Sequence, residues 1–174
     1  MANAGGKVAV QDFFVPDELR GKYIKSLFVD GSHIYCPAGA EKLVELSFDG
    51  SAIQFSCCIS LLGFDYGDLN HLAKIGKFWY LSFWNRAFIR CSSLEALEKG
   101  EYENLYESFG FKGTPYYMSV IGERFYITEI CGRQSVISFS IGKENDGIKD
   151  IRCELMFTEL PEASFARKRV DTLL

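Results

Sequence analysis

Three stretches decide the fold: Gly31-Ser-His-Ile-Tyr35, Gly76-Lys-Phe-Trp-Tyr80 and Gly122-Glu-Arg-Phe-Tyr126. Each reads Gly, two variable residues, a large apolar residue and Tyr, at a spacing of about 45 residues. Their flanks recur too, which a chance five-residue match would not do. Upstream lie the apolar stretches Tyr23-Ile-Lys-Ser-Leu-Phe-Val29, Leu72-Ala-Lys-Ile75 and Tyr116-Tyr-Met-Ser-Val-Ile121. Downstream come Leu43-Val-Glu-Leu-Ser47, Phe88-Ile-Arg-Cys-Ser92 and Val136-Ile-Ser-Phe-Ser140. A fourth, less regular stretch follows each: Ala52-Ile-Gln-Phe-Ser-Cys57, Tyr102-Glu-Asn-Leu-Tyr106 and Asp150-Ile-Arg-Cys-Glu-Leu155.

Short runs rich in Val, Ile, Phe and Tyr, punctuated by Gly, Asp and Asn, predict antiparallel strands joined by tight turns. Gly31 and Gly76 sit where a short hairpin needs positive φ, a conformation that costs glycine little. Ser92 or Ser93 caps the best helix candidate, Ser93-Leu-Glu-Ala-Leu-Glu-Lys99, expected as an insertion in a turn and not as a core helix. The chain therefore reads as all-β, one domain over 1–174, with four-stranded repeats at about 19–66, 67–112 and 113–163 and a leading strand at 7–16.

This repeat resembles the blades of six-bladed β-propellers of the NHL or TolB-like kind. The likeness is carried best by Val29-Asp-Gly-Ser-His-Ile-Tyr35 through Leu43-Val-Glu-Leu-Ser-Phe-Asp-Gly50. It implies blades around a channel and leaves function open, because the fold hosts binders, hydrolases and scaffolds alike. Three blades cannot close a ring that needs four or more. Three arrangements answer this: a homodimer in which 3 + 3 repeats make a six-bladed ring, a fragment or split propeller completed by another chain, and a different all-β packing.

Composition narrows the function classes. With 174 residues, 48% hydrophobic, the chain can bury a sizeable core, and a formal charge of −4 removes the broad attraction typical of nucleic-acid and anionic-membrane binders. No apolar run approaches the ~20 residues of a membrane span, and no basic segment followed by an apolar one opens the chain, so a cytoplasmic location is expected. The six cysteines contain no Cys-x-x-Cys pair and predict reduced thiols; no metal or cofactor is expected.

In a propeller, the loops leading into each blade and the loops between second and third strands share one face around the channel. That rule gathers Asp17, Glu18, Arg20 and Lys22; Asp65, Asp68, Asn70 and His71; Lys112, Thr114 and Tyr116; and Trp84, Asn85, Arg86, Arg133 and Gln134. Aromatic residues with arginine are enriched at binding hot spots, so Trp84, Arg86, Arg133 and Tyr116 are the candidate ligand-binding residues. The bland reading of Trp84 and Phe83 is packing between blades, and the tyrosines at 35, 80 and 126 read as repeat packing. The expected function is non-catalytic recognition of a small polar ligand, a sugar or a protein segment. Two alternatives stand beside it: a hydrolase or lyase whose nameable parts are Asp65, Asp68 and His71, and a structural subunit of a larger assembly.

Overall fold

A computed structural model of the chain describes residues 17–40, 42–61, 63–121, 124–131, 134–141 and 148–157. The expected leading strand at 7–16 lies outside them. Among the described residues, twelve strands form three four-stranded sheets, one per repeat. The first holds β1 (Phe28–Asp30), β2 (His33–Ala38), β3 (Lys42–Phe48) and β4 (Ile53–Ser60). The second holds β5 (Leu69–Ile75), β6 (Phe78–Phe83), β7 (Ala87–Cys91) and β8 (Glu103–Asn104), and the third β9 (Thr114–Ile121), β10 (Arg124–Ile130), β11 (Gln134–Ile141) and β12 (Ile148–Phe157). Each sheet is an antiparallel meander in sequence order, and among the described residues no closed ring forms. The chain is thus all-β, with three sheets consistent with propeller-like blades.

The turn glycines behave as the repeat requires: Gly31 (φ 62°) and Gly76 (φ 59°) occupy the left-handed region between first and second strands. Two expectations need correction. The first strand is not Tyr23–Val29; β1 begins at Phe28, and Tyr23 and Leu27 are exposed because no neighbouring strand pairs with them. The helix, α1 (Leu94–Glu98), is capped by Ser93 and does sit in a turn, but Leu94 and Leu97 are buried in the cluster between the first two sheets. A five-residue helix is held by that burial, since helix propensity alone cannot sustain one so short.

The Gly-x-x-apolar-Tyr signature is a stacking device. Successive side chains of a strand point to opposite faces, so the apolar residue packs back against the preceding sheet while Tyr packs forward. Tyr35 lies in the cluster between the first and second sheets, where Trp79 meets it from the second sheet, edge to face at 4.9 Å. Tyr80 lies in the next cluster, between the second and third sheets, with Phe125 packing back from β10. That second cluster is an aromatic box: Phe88, fully buried, touches the rings of Tyr80, Phe109, Phe111 and Phe139.

The two outer faces end differently. Ile34 points away from the second sheet into a third cluster, formed by Cys36, Ala38, Val44 and Leu46 with Leu19 of the short 3-10 helix Asp17–Leu19. On the far face of the third sheet, Arg124 pairs with Asp150 (2.7 Å) and Glu154 (3.5 Å), and Arg152 pairs with Asp150 (2.6 Å).

Candidate functional site

The turn Trp84-Asn85-Arg86 links β6 to β7 and is pinned to both neighbouring segments. The Trp84 N–H donates to the Asp68 carbonyl (2.9 Å) and the Asn85 N–H to the Tyr66 carbonyl (2.8 Å). The Thr114 hydroxyl donates to the Trp84 carbonyl (3.0 Å), and the Ser82 hydroxyl to the Tyr116 carbonyl (2.8 Å). Gly67 permits this approach, since a Cβ there would lie 3.2 Å from the Asn85 carboxamide. The structure therefore brings Asp68, Asn70, Trp84, Thr114 and Tyr116 to one end of the sheets.

Trp84 is 43% exposed although its neighbour Phe83 is fully buried, so the packing role belongs to Phe83 and the indole is left partly open at this end of the sheets. Tyr116 meets it edge-on, with ring centroids 6.4 Å apart. Lys25, from the segment leading into the first sheet, lies over the indole with Nζ 5.4 Å from the ring centroid. The same ammonium is 2.8 Å from the Asp68 carboxylate and donates to the Asn70 carboxamide oxygen at 3.3 Å. Asn70, itself buried, donates onward to the Pro115 carbonyl (3.4 Å). The segment before the first sheet and the second and third sheets thus contribute to one polar and aromatic cluster.

Arg86 is exposed at φ 57°, a conformation that costs a residue with a Cβ about 1–2 kcal/mol. Its charge opposes the rise that burial imposes on the Tyr106 hydroxyl. Arg133 lies outside the described residues. Asp17 and Arg20 pair with each other (3.0 Å) on the 3-10 helix at the far face of the first sheet.

Asp65, Asp68 and His71 are not joined. Asp68 is taken by Lys25, Asp65 is exposed, and the His71 ring packs against Tyr117 at 4.7 Å. Its Nδ1 is buried and has no hydrogen-bond partner among the described residues, and burial holds its pKa below the ordinary value of 6.5. Among the described residues no group of three or more His, Cys, Asp or Glu could hold a metal ion. No disulfide forms among the described residues, and burial pushes Cys36 up to about 11 and Cys91 up to about 12, so neither is a ready thiolate.

Sequence reasoning passed over two residues that shape this end. Lys25 is one; its signal was a lone cation inside the apolar stretch Tyr23–Val29. Glu129 is the other, a carboxylate 3% exposed at an inward position of β10 in the alternation Phe125, Ile127, Glu129. It accepts the backbone N–H groups of Lys112 and Gly113 and the hydroxyl of Ser135. Gly113 comes so close that a Cβ would fall 2.4 Å from the Ile130 carbonyl oxygen. This clamp fixes the approach to β9, and with it Thr114 and Tyr116.

A separate cleft of about 350 Å³ opens between the first and second sheets. None of the residues singled out from the sequence as a ligand-binding or catalytic candidate lines it. No family model and no curated protein matches this chain.

Proposed function

We propose that this protein is a non-catalytic recognition module. It binds a neutral polar ligand with an apolar face, a sugar or a polar protein segment, at the end of the sheets where Trp84 stands. The observation that carries the reading is the exposed Trp84 on a rigid turn, with its carbonyl, its N–H and its Lys25 neighbour all fixed. A preorganised aromatic platform loses little freedom on binding. The charges of Lys25 and Asp68 cancel at 2.8 Å, which favours an uncharged partner over an ionic one. Arg86, kept where glycine costs less, supplies an exposed donor in the same turn, two residues after Trp84.

Calorimetric titration of the full chain with neutral oligosaccharides and short polar peptides tests this. Saturable binding abolished in a folded Trp84→Ala/Arg86→Ala variant supports it; affinity retained in that variant overturns it.

In the same proposal, a second copy completes the ring. Tyr126 occupies the forward-packing position of the third repeat yet is only half-buried, and the large exposed apolar residues include Leu27 just before β1, Val29 on β1, and Val120 and Ile121 on β9. Light scattering over a wide concentration range should give twice the chain mass of 19.7 kDa, and a constant monomer mass removes the dimer.

A further inference from the structure

Residues 20–27 lead into β1 without a strand partner among the described residues, since pairing with β2 begins at Phe28. Of these residues only Lys25 and Ser26 turn inward; Tyr23, Ile24 and Leu27 are exposed. An unpaired segment is ordinarily held down by burial of its apolar side chains. Here that burial contributes little, and the segment rests on the second sheet through two polar side chains.

Both converge on the start of β5. The Ser26 hydroxyl donates to the Asn70 carbonyl (3.0 Å). The Lys25 ammonium reaches the Asp68 carboxylate (2.8 Å) and the Asn70 carboxamide oxygen (3.3 Å), and it lies 5.4 Å from the Trp84 ring centroid. Lys25 thus makes, from within the chain, the contacts open to a ligand at this place: donation to two side-chain oxygens and an approach to the indole. A ligand donor and Lys25 compete for the same oxygens. The Asp68 side chain is 43% exposed, and an ion pair so open to water is weak, which keeps the docked and released arrangements close in free energy.

Resting on the recognition reading of the Trp84 end, we propose that residues 20–27 form an autoinhibitory strap. Docked, it lays Lys25 over the indole and on its flanking oxygens. Released, it opens the indole and frees the Asp68 and Asn70 oxygens as acceptors for a hydroxyl or amide ligand. Apparent affinity at Trp84 is then lowered by the fraction of chains in which the strap is docked.

Acrylamide quenching of tryptophan fluorescence in the full chain tests the strap with no ligand present. The Trp84 signal is the difference between the chain and its Trp84→Phe variant, in which the buried Trp79 remains. We expect the Trp84 quenching constant to rise by up to about twofold in Lys25→Met, the room left by a residue that is 43% exposed. Asp68→Asn should raise it in the same direction by removing the anchor of the ammonium. Circular dichroism verifies the fold of each variant. An unchanged constant in either folded variant overturns the strap. So does a matching rise for Trp79 when Lys25→Met is made in the Trp84→Phe background, because that marks general loosening. Failure of the recognition reading shows elsewhere, in ligand titrations of the Trp84→Ala/Arg86→Ala variant, and does not move these constants.

Discussion

Tyr80 and Tyr126 hold the same position in successive repeats, and their fates differ. Tyr80, 1% exposed, packs forward into an aromatic box that the third sheet closes. Tyr126 also points forward but is half-buried, on a face that carries Arg124 of β10 and Asp150, Arg152 and Glu154 of β12. Strand β6, covered on both sides, runs Phe-Trp-Tyr-Leu-Ser-Phe without a charge; β10, covered on one, alternates as Arg-Phe-Tyr-Ile-Thr-Glu-Ile. A blade's place in the stack is thus written in its composition. Continuous apolar strands mark a sheet sandwiched between neighbours, and alternating ones a sheet with a single covered face.

The largest test of this contrast is truncation at the two tyrosines. Tyr80→Ala should cost about 4 kcal/mol in urea unfolding, because it empties a fully packed site. Tyr126→Ala should cost about 1 kcal/mol. Equal losses would show that the far face of the third sheet is covered in solution, and so would sharpen the case for a second copy.

Next in size is the clamp that holds the third sheet's approach. Glu129→Ala should cost about 3 kcal/mol, since two backbone N–H groups and a hydroxyl lose a charged acceptor. If its unfolding midpoint matches the wild type, the clamp is not what positions Thr114 and Tyr116.

A smaller effect belongs to the contact between the second and third sheets at His71. Burial lowers its folded-state pKa below the ordinary 6.5, so the unfolded chain takes up the proton first as pH falls. Its contribution to stability is full above pH 6.5 and is lost as pH drops below it, with a slope no steeper than about 1.4 kcal/mol per unit. His71→Gln should flatten that part of the pH–stability curve; an unchanged slope assigns the acid sensitivity elsewhere.

The smallest effect is a gain. Arg86→Gly should stabilise the chain by about 1 kcal/mol by relieving its left-handed backbone, while weakening the ligand proposed at Trp84. A thermal midpoint that falls would mean the Arg86 side chain has a structural role.

Much of this architecture was legible because each strand type recurs with the same punctuation. The glycine at the first turn, the apolar-Tyr pair and the second shared stretch locate strands two and three of each sheet. Irregular ends were less legible. Tyr23–Val29 has strand composition but no pairing partner before Phe28, and Tyr102–Tyr106 contains only the two-residue strand Glu103–Asn104. At the candidate site, loop order placed Asp68, Asn70, Trp84, Thr114 and Tyr116 together, since antiparallel connections alternate ends. It could not separate Trp84 from Phe83, because exposure depends on which side of the last strand residue the turn begins.

The sequence by itself determined what is periodic and local: the three repeats, their turns, and the alternation that aims an apolar residue backward and a tyrosine forward. These follow from side-chain spacing along a strand and from the freedom of glycine at positive φ, which need no distant contact. Only the tertiary structure decided what depends on separations of forty residues or more. It laid Lys25 over Trp84 against Asp68, took Asp68 away from His71, and set the helix carboxylates across a cleft from Glu45. Those meetings are fixed by how the sheets stack, a three-dimensional packing problem that no spacing along the chain encodes.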